Sequence, residues 1–163
     1  LCLFISYSGN TEETLSGISD AKKNNLDWIV ISSGGKLIDI AQNEGKEYIK
    51  IPSGLQPRAA FGYLTLAISR ILDIVEGSDY VSQLNEASSY LEKLTEKAED
   101  SDINKLSLDI CESINKKTVI IYSGTNMSKV VSSRWKTQIN ENAKSKAFVG
   151  YLPEVHHLSL IHI

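Results

Sequence analysis

The chain has 163 residues, of which 42% are hydrophobic and 23% charged, with a net charge of −3 and two cysteines. That is a globular composition, enough for one domain or for parts of two, and it argues against a disordered chain. The acidic balance leaves no electrostatic footprint for nucleic acid or an anionic membrane, no apolar run approaches the ~20 residues of a membrane span, and Cys2 and Cys111 suit a reducing compartment rather than a disulfide scaffold or a four-thiolate metal site.

The first element is an apolar run over residues 1–6, read as the middle of a buried strand that needs neighbours. It ends in the turn Tyr7-Ser8-Gly9-Asn10-Thr11. A helix follows with Leu15, Ile18 and Ala21 on one face, and Asn10 with Glu13 has the capping-box spacing. Residues 27–32 form a second buried strand, stopped by Ser33-Gly34-Gly35. A short helix over 36–43 precedes a third strand at 47–51. Pro52, Gly54 and Pro57 mark a loop, and Pro57 suits the first turn of a long helix over 58–75. That helix carries Phe61, Leu64, Leu66, Ile68, Ile71, Leu72 and Val75 on several faces and is predicted to be central and buried.

Gly77 ends it. Residues 80–100 are amphipathic through Leu84, Ala87, Leu91, Leu94 and Ala98, and Glu99-Asp100-Ser101-Asp102 is the best linker candidate. A helix over 103–114, a strand over 118–122, a helix from Met127 to Ala143 and a strand over 146–150 complete the pattern. Such alternation means α/β architecture: parallel sheets with helices on both faces, in doubly wound, flavodoxin-like units. Residues 5–11 echo residues 120–126, which suggests two related units, both incomplete. The expected division is 1–78 for the end of a first domain, 79–114 for connecting helices and 115–157 for the start of a second. Residues 158–163 are expected to be foreign, since they match one translation frame of a transposase end used in DNA library preparation.

Ligands of open α/β sheets bind at the carboxyl ends of the strands. Three such ends are rich in Ser, Gly and Thr: residues 6–11, 32–35 and 123–126. In the first, Ser6, Ser8 and Thr11 supply hydroxyl donors and Gly9 admits close backbone approach, which suits a phosphate at a helix start. The same residues equally suit a turn with a helix cap. Capping and turn roles are the stronger reading for the other two clusters.

Arg58 opposes the dipole of the helix it precedes, which points to an anionic partner, either a structural carboxylate or a bound anion. In the segment 134–144, Val131, Trp135, Ile139 and Ala143 form an apolar stripe, with Arg134, Thr137, Gln138 and Glu141 beside it. That polar stripe is either a solvated face or a row that sets Glu141 at the core edge, where desolvation would bring a carboxylate toward a base's working range. His156 and His157 follow Pro153-Glu154 on a loop, and no Cys or carboxylate cluster has metal-ligand spacing.

Ser6-Tyr-Ser-Gly-Asn-Thr-Glu-Glu-Thr14, Gln56-Pro-Arg-Ala-Ala-Phe-Gly-Tyr-Leu64, the block 134–144 and Pro153-Glu-Val-His-His157 occur in the order seen in the bifunctional phosphoglucose/phosphomannose isomerases, a family of the sugar-isomerase (SIS) domain superfamily. The chain resembles that family over residues 1–157. The resemblance implies two SIS domains in a cytoplasmic homodimer of carbohydrate metabolism, active in glycolysis and gluconeogenesis. The substrate implied is a sugar phosphate, glucose 6-phosphate or mannose 6-phosphate interconverted with fructose 6-phosphate through an enediol(ate), with no metal and no organic cofactor. By the same resemblance Ser6, Ser8 and Thr11 hold the phosphate, Arg58 stabilises the enediolate, Glu141 is the base and His157 assists ring opening. His156 fills a variable position of the family pattern, and Leu158 stands where the family has Asn. The family's Gly-rich loop and a late Lys are not in this sequence, so the fragment is expected to be inactive alone. A non-catalytic SIS module that binds sugar phosphates and a flavodoxin-like FMN protein are the alternatives. The first lacks a use for Glu141, Arg58 and His157 together, and the second leaves the block 134–144 unexplained.

Overall fold

The computed structural model describes residues 1–95, 102–153 and 155. The chain divides into two compact units, Leu1–Lys93 and Leu94–Ile163. The division falls within the helical stretch that the sequence assigns to a connector.

The first unit is built on three strands, β1 (Cys2–Ile5), β2 (Trp28–Ser32) and β3 (Tyr48–Lys50), in the order β1-β2-β3. All pairings are parallel, with Cys2 opposite Trp28 and Val30 opposite Tyr48. Alternate residues of a strand point to opposite faces, and β2 uses both faces fully. Val30 and Trp28 pack with Ile18 and Ala21 of helix α1 (Glu12–Lys23) and with Leu37, Ile38 and Ala41 of helix α2 (Gly35–Asn43). Ile31 packs on the other face with Ile51 and with Ala67 and Ile71 of helix α3 (Phe61–Glu76). The sheet is thus sandwiched between helix layers, as strand–helix alternation predicts.

Three expectations need correction here. Strand β1 is half-buried along its length, because among the described strands it is paired only with β2. Helix α3 is not buried on several faces: a 3-10 turn, Pro57–Ala60, leads into it, only Ala67, Ser69 and Ile71 are buried, and Phe61, Leu66, Ile74 and Val75 are exposed. The sheet takes up one face of the helix, with Leu64 and Ile68 partly buried against the same core. The Asn10–Glu13 capping box does not form. Thr11 is the residue that precedes α1, and its side chain makes no capping hydrogen bond.

Gly77, at φ +69°, ends α3 as predicted, and its N–H donates to the Asp73 carbonyl at 3.1 Å. The Asp73 carboxylate receives the Tyr80 and Val81 N–H groups at 2.7 and 3.0 Å and the Ser78 hydroxyl at 2.9 Å. It thereby caps helix α4 (Tyr80–Thr95), none of whose residues is buried.

The second unit holds helix α5 (Asp102–Ile114), strand β4 (Val119–Ser123), helix α6 (Met127–Asn142) and strand β5 (Ala147–Tyr151). Strands β4 and β5 run parallel with Val119 opposite Ala147 and Ser123 opposite Tyr151, so α6 is the crossover of a βαβ unit. The residues of α6 that pack inward are Ser132 and Ile139. Val131 and Trp135 are about half exposed and Ala143 is exposed, so the predicted four-residue apolar stripe is core only at Ile139. With two described strands beneath it, the helix has too narrow a platform to bury a full stripe.

Candidate active site

The loop after β1 is held by its own hydroxyls. Ser6 is buried at the carboxyl end of the strand, and its Oγ lies 2.7 Å from Thr11 Oγ1 across the turn. The Gly9 N–H donates to Ser6 Oγ at 3.2 Å, and the Asn10 N–H donates to the exposed Ser8 Oγ at 3.3 Å. Helix α1 begins directly after Thr11, so the first N–H groups of the helix, which have no partner within it, lie next to this loop. Ser6, Ser8 and Thr11 are therefore gathered on one short loop.

A second loop, 32–35 after β2, locks this one in place. The Tyr7 carbonyl accepts from the Ser33 N–H at 3.0 Å and from the Ser33 hydroxyl at 2.6 Å. The Leu37 N–H donates to the Gly9 carbonyl at 2.9 Å, and Asn10 Oδ1 accepts the Lys36 N–H at 3.1 Å. Asn10 thus serves the first turn of α2 rather than its own helix. The loops cross so closely that a Cβ on Gly9 would lie 1.8 Å from the Gly34 carbonyl oxygen. The cluster 32–35 is scaffold for the first loop, in line with the turn role the sequence favours for it.

Arg58 sits in the 3-10 turn Pro57–Ala60 with its side chain half-buried. Its backbone lies between two fixed points. Ala60 is fully buried on one side. On the other, the Leu55 N–H donates to the Tyr7 hydroxyl at 2.8 Å, and that hydroxyl donates to the Pro52 carbonyl at 3.2 Å. Tyr7 is the residue that sequence reasoning passed over. The only signal in the chain was its place between two serines of the turn that follows β1.

In the second unit, Ser123 is the last residue of β4, much as Ser6 directly follows β1. It too is buried, and its Oγ lies 2.8 Å from Ser132 Oγ on α6. The internal echo therefore has a physical counterpart, a buried strand-end serine satisfied by a downstream hydroxyl. Here the partner lies inside the helix, and the pair ties α6 to the sheet.

Glu141 is exposed near the end of α6 and does not lie at the core edge of this unit. Arg134, Gln138 and Asn142 stand one turn apart along the helix. With its amide oxygen turned toward Arg134, Gln138 accepts from the guanidinium Nε at 3.1 Å. Asn140 Oδ1 accepts the Ala147 N–H at 3.0 Å and fixes the end of α6 to the start of β5. Beyond β5 the chain turns back so that Val155 is buried against Gly150, where a Cβ would lie 2.7 Å from Val155 Cγ2. His156 and His157 lie outside the described residues. Among those described, no group of three or more His, Cys, Asp or Glu side chains is placed to hold a metal ion, and no helix is long and apolar enough to cross a membrane.

Parallel strands between helix layers, with a hydroxyl-rich loop at the carboxyl end of β1, form an α/β architecture consistent with the SIS type. Residues 103–163 match the bacterial phospho-glucose isomerase C-terminal SIS domain. The chain is 39% identical over 166 residues to a bifunctional phosphoglucose/phosphomannose isomerase of Caldicellulosiruptor bescii, covering 99% of this chain and 48% of that protein. A protein of the same description from Aquifex aeolicus is 38% identical over 96% of this chain and 46% of its own length. A D-glucosamine-6-phosphate 4-epimerase of Sulfolobus acidocaldarius is 36% identical over 94% of this chain and 47% of its own length. The chain is thus related along nearly its whole length to the bifunctional phosphoglucose/phosphomannose isomerases, and it spans about half the length of the curated relatives it matches.

Proposed function

We propose that the protein carrying this sequence is an aldose–ketose isomerase that interconverts glucose 6-phosphate and mannose 6-phosphate with fructose 6-phosphate. The observation that supports this most directly is the similarity to isomerases of that description across 96–99% of the chain. The loop 6–11 is consistent with it, since Ser6, Ser8 and Thr11 offer neutral donors to a ligand that brings its own negative charge.

In this reading the phosphate is held at loop 6–11 and anchors the open-chain sugar. Glu141 takes the proton from C2 of the aldose and returns it to C1, and the carbonyl oxygen passes through an enediolate stabilised by the Arg58 cation. His157 carries the ring-opening proton transfer. No metal or organic cofactor enters the scheme. The enzyme acts as a cytoplasmic homodimer in glycolysis and gluconeogenesis.

The test is conversion of fructose 6-phosphate by the full-length protein, with glucose 6-phosphate and mannose 6-phosphate measured separately. Formation of both supports the proposal. Binding of the sugar phosphate without turnover would establish the non-catalytic SIS module instead. Because one relative is described as a 4-epimerase, glucosamine 6-phosphate belongs in the same assay. Epimerisation of that sugar, with fructose 6-phosphate left unchanged, would replace the isomerase reading.

A further inference from the structure

We propose that Tyr7 is a positioning residue that sets Arg58 relative to the phosphate loop, an inference that rests on the isomerase reading above. Tyr7 lies between two of the proposed phosphate ligands, Ser6 and Ser8, so its backbone is part of that loop. Its carbonyl is locked by Ser33 at 2.6 and 3.0 Å. Its ring packs with the Ile31, Ile51, Ala67 and Ile71 cluster on the face covered by α3. Its hydroxyl uses both of its capacities on the loop after β3, accepting from the Leu55 N–H and donating to the Pro52 carbonyl. One residue therefore joins the carboxyl ends of all three strands.

The loop it holds leads directly to Arg58. Between Leu55 and the buried Ala60 the chain has little freedom. Pro57 fixes one φ angle, and the Ala59 N–H closes the turn on the Gln56 carbonyl at 2.8 Å. Moving Leu55 therefore moves the start of the turn that carries Arg58. The phosphate ligands themselves would stay in place, because Ser33, Lys36 and Leu37 hold their loop independently of the hydroxyl. The hydroxyl thus acts on the turnover step, through Arg58, and not on phosphate capture.

Tyr7→Phe in the full-length enzyme keeps the ring and removes only the hydroxyl. The expected result is a fall in kcat of about three- to tenfold, the scale of one hydrogen bond. KM for fructose 6-phosphate and the affinity for inorganic phosphate should stay within about twofold. In an Arg58→Lys background the same change should add less than about twofold, because both substitutions remove one function. Amide exchange at Leu55 should rise in the variant. An unchanged kcat, an equal loss in the Arg58→Lys background, or weakened phosphate binding in proportion to kcat would each overturn the proposal. If the wild-type protein binds phosphate sugars without isomerising them, the isomerase reading fails. The exchange measurement then decides the positioning: protection lost at Ala59 as well as at Leu55 supports it, and unchanged exchange at Ala59 overturns it.

Discussion

Substituting Gly9 by Ala tests the crossing of the two loops that shape the proposed phosphate site. Gly9 has φ +69°, a conformation that costs an L-residue about 1–2 kcal/mol. That cost alone applies equally to Gly45, at φ +61°, where a Cβ meets open space. At Gly9 the new methyl would also lie 1.8 Å from the Gly34 carbonyl oxygen and 2.8 Å from Ser32 Oγ. The obstacle is backbone, which has no rotamer to change. To reach ordinary contact the loops must separate by about 1.7 Å. That breaks the bonds from Leu37 N–H to Gly9 and from Lys36 N–H to Asn10, and strains those from Ser33 to Tyr7. At about 1 kcal/mol for each of the two bonds lost, added to the φ cost, Gly9→Ala should destabilise by about 3–4 kcal/mol and Gly45→Ala by about 1–2 kcal/mol. Urea unfolding of the full-length protein, with the two variants compared at matched slope, measures the difference. Fructose 6-phosphate binding should be lost only for Gly9→Ala. Equal midpoints for the two variants would refute the loop crossing as a constraint.

Glu141→Gln should lower turnover at least ~100-fold while leaving phosphosugar binding in place, because it removes the proposed base and keeps the shape; a variant with near-normal turnover ends that assignment. Thr11→Val removes a proposed phosphate donor and the partner of Ser6 Oγ, so KM for fructose 6-phosphate should rise while inhibition by a phosphate-free sugar analogue changes little; equal weakening of both points to a disturbed loop. Burial pushes the Asp73 carboxyl up, but the Val81 and Tyr80 N–H groups, the Ser78 hydroxyl and the Arg70 charge outweigh it and hold the carboxyl below its ordinary 3.8. Its stabilising contribution is therefore complete well above pH 3.8 and is lost as pH falls through the depressed folded value. The stability gap between wild type and Asp73→Asn in urea titrations should accordingly close in acid, and a gap that widens there contradicts the capping role.

The order of elements was legible because local rules set it. Apolar runs of strand length alternate with 3.6-residue periodicity, Gly77 must end a helix, and Ser33-Gly34-Gly35 must turn. Strand–helix alternation then demands a parallel sheet between helix layers. The hydroxyl loop was legible for the same reason, since Ser, Gly, Asn and Thr between a strand and a helix have few uses. Burial was less legible. Apolar residues on several faces of α3 and at Val131 and Trp135 state what each element could cover, but what covers them depends on neighbours that periodicity does not name. The partner of Asn10 was likewise hidden. Spacing pointed to Glu13, three residues away, whereas the fold brings Lys36 against it from the next strand–helix turn. Tyr7 is the clearest case. Its place between two serines is visible in the chain, but the bonds to Pro52 and Leu55 span more than forty residues. Sequence determines which groups a segment offers and the local conformation that presents them. Only the parallel packing of β1, β2 and β3, which brings three strand ends to one edge of the sheet, decides which of those groups meet.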